Sequence, residues 1–128
     1  EIAQMVKQEA GGSIVNTASI CGLVALPHAT AYNSAKHGVI GLTKSAAVEY
    51  GPKKIRVNAV CPGFIDTPML AKGAGASQEV LDGVVRQLPI RRIADPSEVA
   101  DVVAWLMSPH SSYVTGVAMP IDGGWTAQ

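Results

Sequence analysis

Ala31-Tyr-Asn-Ser-Ala-Lys-His-Gly-Val-Ile-Gly-Leu-Thr-Lys-Ser-Ala-Ala-Val-Glu-Tyr50 has a helical repeat and lies between two short β-branched runs, and that order decides the fold. Ala35, Val39, Leu42 and Ala46 recur at spacings of four, three and four, which predicts an apolar stripe, and Gly51-Pro52 ends the element. A second stripe, Ser34, Gly38, Gly41 and Ser45, carries nothing larger than a hydroxymethyl group, so another element can approach it closely. Upstream, Ser13-Ile-Val-Asn-Thr-Ala18 reads as a buried strand, followed by a loop over 19–30 that contains Pro27. Downstream, Lys54-Ile-Arg-Val-Asn-Ala-Val-Cys61 reads as a second strand, stopped by Pro62-Gly63.

Working outward, the opening Glu1 to Gln8 looks like the last turns of an amphipathic helix, ended by Gly11-Gly12. Phe64 to Gly75 has the composition of an irregular loop, and a helix is expected from Ser77 to Leu88. Asp95-Pro-Ser-Glu98 is a helix start of capping-box type, with Val99, Val102, Val103 and Leu106 on its apolar face. Tyr113 to Ile121 reads as a third strand, closing in a tight Asp122-Gly-Gly124 turn. Strands joined by helical crossovers predict an α/β parallel sheet covered on both faces. Right-handed crossovers put all carboxyl ends of the strands on one edge, where ligands of open sheets bind.

The bulk numbers narrow the function. With 128 residues, 48% of them hydrophobic, the chain can bury one core. Ten basic and ten acidic side chains cancel, which argues against nucleic acid as a partner. No apolar run is long enough for a membrane span. Cys21 and Cys61 form no C-x-x-C pair, and His28, His37 and His110 have no metal spacing, so no metal is expected. Two unpaired thiols favour a reducing, cytoplasmic address. Asn16 and Asn58, in predicted strands, are expected to satisfy buried backbone groups.

Ser19 follows the first strand, Pro62-Gly63 follows the second, and Tyr32 stands in the first turn of the intervening helix, so all converge on the ligand-facing edge. Lys36, four residues past Tyr32, falls on the same helical face one turn away. A phenol ordinarily keeps its proton until about pH 10, so to exchange protons near neutrality its phenolate must be stabilised. A neighbouring ammonium and the amino end of a helix provide that. Ser19 can hydrogen-bond a substrate oxygen and orient it. A Tyr-x-x-x-Lys pair alone is weak; a Ser at a strand end thirteen positions before the Tyr makes the pattern specific.

Ser13-Ile-Val-Asn-Thr-Ala-Ser-Ile-Cys-Gly22, Ala31-Tyr-Asn-Ser-Ala-Lys-His-Gly38, Ile55-Arg-Val-Asn-Ala-Val-Cys-Pro-Gly63 and Val114-Thr-Gly-Val-Ala-Met-Pro-Ile-Asp-Gly-Gly124 resemble, in order and spacing, successive motifs of the short-chain dehydrogenase/reductase family. The resemblance covers nearly the whole chain. It implies the carboxyl-terminal part of a Rossmann-like doubly wound sheet, with residues 1–128 forming part of a single domain. It further implies catalytic roles for Ser19, Tyr32 and Lys36, with Lys36 also holding the nicotinamide ribose. Pro62, Gly63 and Ile65 would line the nicotinamide of NAD or NADP, and Thr67 would bind its carboxamide or the adjacent phosphate. The stretch from Thr67 to about Leu88 resembles a substrate lid, whose Met69, Leu70, Val80, Leu81 and Val84 give it an apolar lining. A small-molecule alcohol or ketone is the implied substrate, and a homodimer or homotetramer the implied assembly.

The family's amino-terminal motifs, including the Gly-rich turn for the pyrophosphate and a catalytic Asn, have no counterpart in these residues. Lys72-Gly-Ala-Gly-Ala-Ser77 follows a loop and not a strand, so it does not replace that turn. The chain is therefore expected to be a fragment that is inactive alone. The alternative is a non-catalytic remnant serving as an oligomerisation module.

Overall fold

Three parallel strands form the frame of the protein, a computed structural model that describes residues 1–8, 10–73 and 77–128. β1 (Gly12–Thr17) pairs with β2 (Ile55–Pro62) from Gly12 opposite Ile55 to Thr17 opposite Val60. β2 in turn pairs with β3 (Ala118–Ile121), from Ala59 opposite Ala118 to Pro62 opposite Ile121. The helices are α1 (Ile2–Lys7), α2 (Thr30–Tyr50), α3 (Pro68–Gly73), α4 (Gln78–Gln87) and α5 (Pro96–Met107). The α/β doubly wound class expected from the sequence is what the chain adopts.

Period-two alternation along β2 explains both covered faces. Ile55, Val57, Ala59 and Cys61 pack with Ile40, Ala46 and Ala47 of α2. Arg56, which points the other way, donates to the Leu106 and Ser108 carbonyls at the carboxyl end of α5, at 2.8 and 3.1 Å, and Ser13 of β1 adds a bond to Leu106 O. These are the carbonyls a helix end leaves without intrahelical donors, so one guanidinium both caps α5 and fastens it to the sheet.

Four details differ from the sequence reading. Ala35 and Leu42 of α2 are exposed, and the buried stripe is Ile40, Thr43, Ala46 and Ala47. Thr43 fits an apolar face because its hydroxyl donates to Val39 O and accepts from Asn16 Nδ2, at 2.8 and 2.9 Å. Asn16 therefore bonds a side chain and not the backbone, whereas Asn58 does serve backbone groups, donating to Val114 O and accepting from Val117 N. That amide takes the place of a strand neighbour, and with Gly116 at φ +76° it confines β3 to four residues. Finally, Pro68–Gly73 is helical within the segment expected to be irregular; positions 74–76 of that segment and of the Lys72–Ser77 run lie outside the described residues.

The sheet has two edges. β3 carries Pro120, which offers no N–H to an incoming strand, but β1 has no such guard. Produced alone, the 128-residue chain is expected to self-associate through β1, visible as time-dependent light scattering; a stable monomer would show that this edge is not sticky.

The capping box at α5 forms as the sequence predicts: Asp95 accepts from Ser97 N, and Glu98 reaches back to Asp95 N at 2.9 Å while gripping Arg92 with both carboxylate oxygens at 2.7 Å. The Arg92 guanidinium, then the Asp95 amide, draw the Glu98 carboxyl down from its ordinary 4.5 to about 2. A lowered folded-state value stabilises above the ordinary glutamate range and is lost as pH falls toward 2. Glu98→Gln should accordingly lower the thermal midpoint at neutral pH, with the gap to the parent closing in acid. A gap of constant size across that range would exclude the carboxylate as its source.

Candidate active site

Parallel register brings the carboxyl ends of β1, β2 and β3 to one edge, where Ser19, Gly63 and Asp122 lie just past their strands. Ser19 is buried and starts a short 3-10 turn, Ile20–Gly22, its Oγ accepting from Cys21 N at 3.2 Å. The hydroxyl proton has no protein acceptor among the described residues and is free to be donated. That turn can press against α2 only because residue 22 lacks a side chain: a Cβ there would stand 2.7 Å from the Lys36 carbonyl oxygen and from Ile40 Cδ1. Asn33 holds the other side of the loop, donating to Leu26 O at 2.8 Å.

Tyr32 lies in the first turn of α2 and is 42% exposed. Lys36 Nζ sits 5.5 Å from the centre of its ring, within reach of a cation–π attraction of about 0.5–1 kcal/mol. The same amine donates to Thr17 O, the last carbonyl of β1, at 3.0 Å. Lys36 is thereby stretched between the phenol and the strand that leads into Ser19. Of its three donors, one has a protein acceptor among the described residues, which leaves two for a ligand with paired hydroxyls.

Cys61 is buried near the carboxyl end of β2, and burial pushes its thiol up, with the Ser19 amide and the Lys36 ammonium pulling it down and the Asp122 carboxylate pushing it up. Pro62 and Gly63 are half-buried on the same rim. Ile65 and Thr67 lie farther along the outgoing segment: Ile65 bridges to Ala94, and the Thr67 hydroxyl is already engaged with Ile65 O and Leu70 N at the start of α3. The structure places Ser19, Pro62 and Gly63 at the ends of their strands, ties Lys36, with Tyr32 beside it, to that edge through Thr17 O, and gives Ile65 and Thr67 backbone partners of their own. Met69 and Val80 of the expected apolar lining are exposed, while Leu70, Leu81 and Val84 are half-buried.

Two contacts near this edge escaped the sequence reading. The Thr17 carbonyl that anchors Lys36 is a backbone atom, which no residue pattern announces. Asp122, read as part of a turn, has a carboxylate that accepts from Gly124 N, Thr126 N and Thr126 Oγ1 at 2.9, 2.9 and 2.7 Å; the Thr four positions on was the available signal.

Two cavities do not include Ser19, Tyr32 or Lys36 in their lining. One of about 790 Å³ separates α1 from α2 above Ile14 and Val57, and one of about 310 Å³ lies between the Asp122 turn and Leu88–Arg92. Among the described residues no cluster of His, Cys, Asp or Glu could hold a metal ion, and no helix is long and apolar enough to cross a membrane.

Residues 1–126 match a family model described as enoyl-(acyl carrier protein) reductase. The short-chain dehydrogenase anuF of Penicillium roqueforti is 44% identical over 95% of the chain and 44% of its own length. Cyclohexanol dehydrogenase of an Acinetobacter species is 48% identical over 92% of the chain and 45% of its own. Among solved structures, 4-hydroxyisoleucine dehydrogenase complexed with NADH superposes with a TM-score of 0.92 at 34% identity, covering 99% of the chain and 52% of the larger protein. The chain spans about half the length of the curated relatives it matches.

Proposed function

Because the chain belongs to the short-chain dehydrogenase/reductase family, we propose that it is the catalytic half of an oxidoreductase that interconverts a secondary alcohol and a ketone with NAD or NADP. The observation that carries this is Lys36, with its ammonium over the Tyr32 ring and bonded to Thr17 O, two residues before Ser19. When bound, the nicotinamide supplies or accepts the hydride. Ser19 donates a hydrogen bond through its free hydroxyl to the substrate oxygen, keeping its proton, and so fixes the reacting carbon. Tyr32 gives its phenolic proton to that oxygen in reduction and takes it back in oxidation, and Lys36 steadies the negative charge that comes and goes on the phenol.

The cofactor fits what is present. The two uncommitted donors of Lys36 suit the ribose hydroxyls, and half-buried Pro62 and Gly63 offer a low rim for the nicotinamide, with Ile65 and Thr67 beyond it. Neither the adenosine pocket nor the choice between NAD and NADP is encoded in these 128 residues. The test is nicotinamide turnover on a panel of cyclic, steroidal and acyl ketones, using the whole protein and, in parallel, residues 1–128 alone. We expect activity in the first and none in the second; a whole protein inert across the panel would remove the reading.

A second reading, an oligomerisation module, is favoured by the outer face of α2. There Ser34, Gly38, Gly41 and Ser45 are exposed, with nothing within 4 Å of a Cβ built on either glycine, and Leu42 is 65% exposed. Turnover by the whole protein would exclude a non-catalytic remnant and leave this face to assemble a homodimer or homotetramer.

A further inference from the structure

The segment between β2 and α5 leaves the sheet at Phe64 and returns at Ala94. Its two ends are laced together: Asp66 N donates to Ala94 O at 2.9 Å, and Ala94 N to Phe64 O at 3.1 Å. The described residues between, α3 and α4 among them, form an excursion closed at its base.

The carboxyl-terminal turn holds both sides of that base. On the outgoing side, Gly63 N donates to Ile121 O at 3.0 Å, and Phe64 meets the Trp125 ring edge-on, with centroids 5.2 Å apart. A Cβ on Gly63 would stand 2.9 Å from the Cα of Asp122, so the turn lies directly against the rim assigned to the nicotinamide. On the returning side, Ile90 N donates to Gly123 O at 3.0 Å, Pro89 lies against Gly124, and Gln128 Nε2 reaches Gln87 O at 3.0 Å. The turn that makes these contacts owes its shape to one carboxylate, which gathers the donors of Gly124 and Thr126. Burial opposes the charge on Asp122, yet those bonds hold its carboxyl below the usual carboxylate range.

We propose that Asp122 is a positioning residue: by shaping the 123–126 turn it clamps both ends of the 64–94 excursion over the reaction edge, and so sets how firmly substrate is retained there. This rests on the oxidoreductase reading. An amide in place of the carboxylate could not accept at both positions, because its nitrogen only donates. Asp122→Asn should therefore loosen the excursion without touching Tyr32, Lys36 or Ser19. Thr126→Val, which deletes one donor, should follow it, while Thr126→Ser, which keeps the hydroxyl, should behave as the parent.

The experiment uses the whole protein and two readouts. Trypsin cleavage after Lys72 and Arg86, both exposed on the excursion, should run about tenfold faster in Asp122→Asn, with cleavage after Lys44 on α2 unchanged. For the carbonyl or alcohol substrate, KM should rise about tenfold with kcat kept within about twofold. Cleavage needs no turnover, so it separates failure of the clamp from failure of the oxidoreductase reading. Unchanged cleavage at Lys72 and Arg86, or equal acceleration at Lys44, overturns the clamp. Faster cleavage with an unchanged KM overturns its part in substrate retention.

Discussion

Tyr32→Phe in the whole enzyme is expected to lose roughly a hundredfold to ten-thousandfold in kcat, the range for removing a positioned general acid or base, while cofactor and substrate still bind. The substitution is narrow. A phenyl ring keeps the face over which the Lys36 ammonium lies, and the Lys36 bond to Thr17 O does not involve the phenol. Tyr32 is 42% exposed, and its hydroxyl has no protein hydrogen bond among the described residues, so no buried donor or acceptor is orphaned. What disappears is the proton the reaction needs at the substrate oxygen. Steady-state rates in both directions, together with titration of nicotinamide binding, would show kcat collapse against nearly constant affinity. A variant with near-full turnover would take Tyr32 out of the mechanism and leave Ser19 and Lys36 without a proton donor between them.

Much of this arrangement is readable in the chain because its signals are local. Asp95 and Glu98 stand at capping-box spacing, and the box forms; Tyr32 and Lys36 stand one turn apart, and the ammonium reaches the ring. Strand ends give the edge, because parallel register leaves little freedom once the helix between β1 and β2 is recognised. What misled was weak contrast. α2 is built largely of Ala, Gly, Ser and Thr, so two neighbouring stripes look equally apolar, and the choice falls to Thr43, whose polarity is cancelled by Val39 O and Asn16. β3 is shorter than its β-branched lead-in implies because the Asn58 side chain, 59 positions before Val117, occupies the place of a ladder partner. No window along the sequence contains both ends of that bond. The same distance hides the Asp122 turn, whose contacts reach back to Gly63, Phe64 and Ile90.

Lys36→Met should separate charge from shape at the same site. Methionine fills much of the space of the lysine stem but carries no ammonium, so both the charge over the Tyr32 ring and the bond to Thr17 O go. Thr17 is exposed, and water can replace the lost donor, so the fold should survive with little change in thermal midpoint. Catalysis should not: removing a preorganised charge from a developing anion typically costs about a hundredfold to a thousandfold. Unlike Tyr32→Phe, this variant should also weaken nicotinamide binding, because the two donors assigned to the ribose are on the same nitrogen. Lys36→Arg restores charge but presents a planar fork on a different reach, so it should recover only part of either loss. The pair of measurements is therefore diagnostic. A fall in kcat with unaltered cofactor affinity would confine Lys36 to the proton step; a loss of affinity with unaltered kcat would confine it to holding the ribose. Unchanged values of both would leave its contacts with Thr17 and Tyr32 as packing alone, and the proposed chemistry would have to be rebuilt without it.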